Sequence, residues 1–186
     1  MAGITQNYHE TLAPFSSSFE TAATLAATYV ALIPAARYAQ LGTQFFNVPG
    51  RKLFIRMHGQ ITTGATPGNL QIGVLFGTGA NNNGVTLAAG AAIALTASQT
   101  NVPFEIEMTI RSTTTLGATG TLFARGVFRA GAVVMATTLN LVPATAPAVS
   151  AACDLTGTLI PSIQALRSGS TAETMQVLDY DFAPLN

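Results

Sequence analysis

Between residues 52 and 61, Leu53, Ile55, Met57 and Ile61 alternate with Lys52, Arg56, His58 and Gln60, and Phe54 interrupts the polar set. Side chains two apart on an extended chain share a face, so this period of two predicts a strand with one side in a core and the other facing outward. Residues 69–76 repeat it, with Leu70, Ile72, Val74 and Phe76 set against Gln71 and Gly73. The clearest case follows Pro103, where Phe104, Ile106, Met108 and Ile110 alternate with Glu105, Glu107, Thr109 and Arg111. After a turn-rich stretch over 112–120, residues 121–129 place Leu122, Ala124, Gly126 and Phe128 opposite Phe123, Arg125, Val127 and Arg129, which predicts apolar contact on both faces. Strands are also predicted over 158–167 and 173–182. In the second of these, Met175 and Val177 keep one phase, and Leu178, Tyr180 and Phe182 another. A β-bulge near Val177 and Leu178 accounts for that slip. Weaker strand patterns cover 28–33, 44–48 and 139–142.

Two segments carry mixed signals. Residues 19–31 are Ala-rich, which favours helix by propensity, yet their Thr residues and the Tyr29-Val30 pair favour extended chain. Residues 85–97, with Gly90 and many small side chains, fit a loose connection or an edge strand. Eight or nine short strands, separated by Gly, Pro, Asn and Thr clusters and without a long amphipathic helix, define an all-β sandwich or barrel. Connections as long as 78–100 and 129–153 suit Greek-key crossovers. The expected architecture is an eight-stranded antiparallel jelly-roll sandwich forming one domain over residues 21–186, preceded by an extended N-terminal arm over 1–20. No fixed-period repeat points to a propeller or solenoid.

Composition changes the picture at the surface. The 186 residues hold 8 basic and 8 acidic side chains, so only 9% are charged, against roughly a quarter in an average soluble protein. Sparse, balanced charge provides no electrostatic footprint for nucleic acid or anionic lipid, and neither is an expected partner. A neutral, Thr- and Ala-rich surface suggests instead that partners cover much of it. Cys153 is the single cysteine and has no internal disulfide partner; it is expected to be a small buried or half-buried hydrophobe. The first residues lack a basic region followed by an apolar run. The apolar stretch over 22–36 is broken by Thr24, Thr28 and Pro34 and is shorter than the ~20 residues of a bilayer span. A soluble protein made in the cytoplasm is the expectation.

Catalytic chemistry has little material. His9 lies in the arm and His58 on a polar strand face, and neither has a sequence neighbour that would orient its tautomer. No enzyme and no cofactor are expected. Glu105 and Glu107 share a strand face about 7 Å apart, as do Asp179 and Asp181. Were those strands neighbours, four carboxylates would converge as oxygen ligands for calcium. The preferred reading is a solvated face balanced by Arg56, Arg111, Arg125 or Arg129. The Gly- and Asn-rich residues 77–84 lack the Gly-Lys-Ser/Thr ending of a phosphate loop and read as a loop tip. Seven of the 8 basic residues are Arg, a bias suited to ordered, bidentate contacts at an interface.

Two local patterns carry a resemblance. One is Gly50-Arg51-Lys52-Leu53, leading through Thr62-Thr63-Gly64-Ala65-Thr66-Pro67-Gly68 into Leu70-Gln71-Ile72-Gly73-Val74. The other is Pro103-Phe104-Glu105-Ile106-Glu107 with Arg111-Ser112, then Gly117 and Gly120-Thr121-Leu122-Phe123-Ala124-Arg125-Gly126, ending on a short strand closed by Leu185-Asn186. In strand order, pattern and composition, residues 50–186 resemble the jelly-roll decoration or cement proteins that coat the capsids of tailed bacteriophages. The resemblance implies a tumour-necrosis-factor-like jelly roll and a homotrimer bound to the major capsid protein. It also implies a place on the virion surface after synthesis in the host cytoplasm. It brings no motif of binding residues that transfers position by position.

Contact residues are therefore inferred from this chain alone. In the arm, Ile4, Tyr8, Leu12, Phe15 and Phe19 are spread among polar residues, too few to fold alone but suited to ordering on a neighbour. With Arg125, Arg129 and the Val133, Val134 and Met135 of the apolar loop over 130–152, they are the expected capsid or inter-subunit contacts. The alternative is the receptor- or carbohydrate-binding head of a phage tail fibre or baseplate, which uses the same trimeric architecture. Sugar binding favours exposed aromatic faces, whereas Trp is absent and the long loops are poor in aromatics, so coating is preferred.

Overall fold

The structure, a computed structural model, describes residues 19–34, 37, 39, 41–42, 45–46, 48–78, 84–113, 116–136 and 139–185. Most of the arm, with His9, Ile4, Tyr8, Leu12 and Phe15, lies outside the described residues. Among these are eleven strands: β1 (Ala23–Thr24), β2 (Val30–Ala31), β3 (Lys52–Thr62), β4 (Asn69–Thr78), β5 (Val85–Ala89), β6 (Ile93–Ala94), β7 (Val102–Ser112), β8 (Leu122–Ala130), β9 (Leu139–Val142), β10 (Leu159–Arg167) and β11 (Thr174–Leu185). They form two antiparallel sheets packed as a sandwich. One has the order β1-β11-β3-β7-β8-β9; the other runs β2-β10-β4-β5, with β6 also on β4. The first long strand, β3, pairs with the last, and β4 pairs with the penultimate β10. The β3–β4 and β10–β11 connections thus both step from sheet to sheet. Strands β7, β8 and β9 remain in one sheet as a meander, so the stretch over 129–153 holds a strand of that sheet where the sequence predicted a crossover.

The period-two pattern builds the core. Leu53, Ile55, Met57 and Ile61 of β3 are fully buried, and Phe104, Ile106, Met108 and Ile110 of β7 point the same way, toward Leu70, Ile72, Val74 and Phe76 of β4. Gly59 continues the inward row of β3; a Cβ there would stand 2.2 Å from the Gln176 carbonyl oxygen and 2.6 Å from the Phe104 ring. Only glycine allows that ring to lie across the strand. The predicted bulge is present: the β11–β3 register shifts between Val177 and Asp179. It lets Met175 and Val177 at one end and Phe182 at the other all be buried, while Asp179 and Asp181 stay exposed.

Two expectations need correction. Residues 45 and 46 form a turn, not the predicted strand over 44–48. Adjacent side chains on a strand point to opposite faces, whereas the turn lets Phe45 and Phe46 meet edge to face at 4.8 Å, with Phe46 fully buried. The strand count also exceeds the expected eight, because β1 and β6 are two-residue pieces too short to give a periodic signal and β5 lies in the mixed-signal segment over 85–97, whereas β2 falls within the weaker pattern over 28–33. The segment over 19–31 is extended, not helical, and 85–97 supplies the edge pieces β5 and β6.

The chain that precedes β3 lies over the outer side of the five-stranded sheet at Tyr29 and pairs along the edge of β10. Seven consecutive residues of β10 are buried on both faces. The Tyr29 ring lies over Gly73 of β4, the Leu32 N–H donates to the Ile163 carbonyl at 3.2 Å, and Leu41 bridges to Leu159. A buried ion pair closes the β10–β11 end. Arg167 Nε is 3.2 Å from Glu173 Oε2, with Glu173 fully buried, and the same Nε donates to the Leu25 carbonyl at 2.8 Å.

Candidate functional site

The outer face of the six-stranded sheet carries the chain's concentrated polar chemistry. Strand register lays it out in rows. The first runs Leu185, Lys52, Arg111, Phe123 and the second Ala183, Phe54, Thr109, Arg125; the third is Asp181, Arg56, Glu107, Val127, Leu141 and the fourth Asp179, His58, Glu105, Arg129, Leu139. The first two rows hold three cations and no acid. The next two hold four carboxylates, two arginines and a histidine.

Within the acidic rows the charges are tied to one another. Arg56 Nη2 donates to Glu105 Oε1 at 2.8 Å, and His58 Nε2 lies 3.2 Å from the same oxygen. Arg129 Nη1 donates to Glu107 Oε2 at 2.9 Å and to Glu105 Oε2 at 3.2 Å. The Arg56 hydrogen bond, joined by His58 and Arg129 and opposed by partial burial, holds the Glu105 carboxyl below the usual carboxylate range. Bonds to the glutamates likewise raise the Arg56 and Arg129 guanidinium groups, which are charged in any case. Strand β3 lies between β7 and β11, so the two carboxylate pairs are not neighbours: Arg56 and His58 stand between them. Among the described residues no three His, Cys, Asp or Glu side chains come together as a metal site. The balanced-face reading fits this geometry and the calcium arrangement does not.

Two grooves lie on the same face. The larger, about 660 Å³, is lined by the apolar Phe54, Val127, Leu141, Pro143, Ala144 and Pro147, by Thr109 and Arg125 where it meets the cationic rows, and at its acidic end by Glu107, which is paired with Arg129. The smaller, about 390 Å³, is bounded by Lys52, Arg111, Phe123 and Leu185, and again by Thr109 and Arg125. The two residues they share join them. The Arg111 guanidinium carbon lies 5.3 Å from the centre of the Phe123 ring, which covers an otherwise exposed aromatic.

The residues singled out from sequence fall into three groups. Phe19, 69% exposed, and Val133, 61% exposed, present apolar surface, and Arg125 is exposed in the grooves. Val134 and Met135 are fully buried in the chain's own core and have no surface to offer a partner. Arg129 is engaged by this chain's own Glu105 and Glu107. The sequence reading missed Lys52, Phe54, Thr109, Leu141 and Pro143 as groove residues; only the pairing of β3, β7, β8 and β9 brings them together. Cys153 is buried, as its composition suggested, and burial pushes its thiol up despite a hydrogen bond with Ser150. Asp154 caps a turn, with the hydroxyl and backbone N–H of Thr156 holding its carboxyl low. None of these groups forms a nucleophile with an oriented base. Among the described residues no helix is long and apolar enough to cross a membrane.

No family model matches the chain, and no curated protein or solved structure shows a significant similarity to it.

Proposed function

We propose that this chain is a structural virion protein that coats and stabilises the exterior of a bacteriophage capsid as a homotrimer bound to the major capsid protein. The observation that carries the reading is the pairing of the first long strand with the last and of the second with the penultimate across two sheets. A jelly roll begins from such a double ribbon rolled from one sheet to the other; the β7–β8–β9 meander departs from the full eight-strand pattern. Exposed apolar side chains at Phe19, Val133, Leu139, Leu141 and Val149 add surface suited to partners. Coating a shell demands broad contact area and no reaction centre, in keeping with acidic rows in which Glu105 and Glu107 are tied to Arg56 and Arg129.

The test is co-purification of the tagged protein with phage particles. Stoichiometric occupancy on filled heads, lost when residues 2–15 are deleted, is the expected result. A protein found only in tail fractions, or one that binds specific sugars on a glycan array, would transfer the reading to a receptor-binding head. Light scattering that returned a monomer at micromolar concentration would remove the trimer.

A further inference from the structure

The basic residues of this chain are sorted in space. Arg37, Arg56, Arg129 and Arg167 each lie within 4 Å of a carboxylate, and Arg51 donates to the Phe45 carbonyl at 3.2 Å with its guanidinium over the Phe45 ring. The other three, Lys52, Arg111 and Arg125, have no carboxylate partner among the described residues, and all three bound the smaller groove. Lys52 and Arg111 are direct cross-strand partners, an arrangement in which like charges repel. A chain with 8 cations in all thus places three of them around one open groove with no described carboxylate to balance them, the Phe123 ring under Arg111 being the one compensating contact among the described residues.

We infer that the joined grooves bind an extended acidic segment of a protein partner, with carboxylates on Lys52, Arg111 and Arg125 and aliphatic side chains along Val127, Leu141 and Pro143. The spacing fits: the Lys52/Arg111 row and the Arg125 row stand two residues apart along the strands. That is about 7 Å, the repeat of alternate side chains on an extended peptide. The guanidinium fork matches a carboxylate in geometry. The side chains along the larger groove are mostly aliphatic and proline, and its one carboxylate, Glu107, is already paired with Arg129, which suits an aliphatic peptide side chain better than the many hydroxyls of a sugar. The site stands or falls independently of the coating reading, since it specifies only the chemistry of what docks.

Fluorescence anisotropy on the intact protein tests it. The probe is a labelled octapeptide with two glutamates two residues apart followed by valine and leucine; the control has glutamine at both acidic positions. The glutamate peptide is expected to bind at least ~10-fold more tightly than the control. Lys52→Gln and Arg125→Gln should each weaken it by about 10-fold, and Leu141→Ser by a few-fold. Asp181→Asn should leave binding unchanged. All four positions are at the surface, and thermal melts of each variant verify that folding is kept. Equal affinity for the two peptides, no binding up to ~1 mM, or unaltered binding by Lys52→Gln and Arg125→Gln together would overturn the inference. So would displacement of the peptide by equimolar inorganic phosphate or by a heparin hexasaccharide, which would reassign the groove to a small oxyanion or a glycan.

Discussion

On β10 of the five-stranded sheet, the outward side chains Ile160, Ser162 and Gln164 are buried. On β7 of the six-stranded sheet, the outward side chains are Glu105, Glu107, Thr109 and Arg111. The first sheet has Tyr29 over its outer face and its β10 edge paired by Leu32 and Leu41 from the chain ahead of β3, and its buried polar groups must find partners inside; Gln164 Nε2 donates to Ser162 Oγ at 2.8 Å. The second sheet is left open, and of the 8 basic and 8 acidic residues it gathers five and four on that one face. Low overall charge therefore describes the covered sheet and the loops. The open face carries far more charge than the rest of the chain and is divided into a cationic and an acidic end. Stability should be concentrated in the first region and recognition in the second.

The largest effect belongs to the covered side. Arg167→Met leaves Glu173 buried without its ion partner and should cost about 3–5 kcal/mol, a large share of the ~5–15 kcal/mol of a typical domain. A urea midpoint reads the loss, and the Arg167→Met/Glu173→Leu double variant should recover part of it. Gly73→Val comes next. Its Cβ would stand 2.7 Å from the Tyr29 ring, so the ring must lift, at about 1–3 kcal/mol, with Tyr29 fluorescence shifting toward that of exposed tyrosine. A melting temperature unchanged in either variant would break the contrast between the sheets.

Smaller effects are expected on the open face. Glu105→Gln should cost no more than about 1 kcal/mol at neutral pH, and its signature is in the pH dependence. Glu105 titrates below its ordinary value of 4.5 in the folded chain, so the unfolded chain takes up that proton first as pH falls. Its contribution is therefore present above about 4.5 and disappears as pH drops through the lower folded value. The variant should show a flatter acid limb in a melting-temperature profile between pH 5 and pH 2 (a span set by that ordinary carboxylate range), and equal limbs would refute the assignment. Smallest and opposite in sign, Lys52→Glu turns a like-charge cross-strand pair with Arg111 into an attractive one. It should stabilise by about 0.2–1 kcal/mol while abolishing binding of the acidic octapeptide, and a loss of stability would show that the cationic end is not frustrated.

The long strands were legible because one face is wet and the other dry. β3 and β7 alternate without a break longer than one residue, β9 was found at its observed limits, and the bulge in β11 showed as a change of phase before any partner strand was known. What escaped had no period to display. β1 and β6 are too short, and the Phe45-Phe46 pair satisfies its burial through a turn. Val134 and Met135 sit in an apolar run that reads alike for a surface patch and for a core insertion, and only tertiary packing separates the two. The charges on the open face were each visible in sequence. Their division into two ends was not, because it depends on which strands pair and in what register: β11 with β3, β3 with β7, and β7 with β8.

The margin formed by β9 bears on how copies of this chain avoid one another. An unpaired strand edge is a template on which further chains can stack without limit. Here that edge is four residues long and runs straight into Pro143, which has no N–H to extend a ladder. Leu139 and Leu141 make it adhesive, yet its hydrogen-bonding capacity is spent within a turn's length. The fold thus resists growing into fibres at this margin while keeping a greasy border for a finite, side-chain-specific contact.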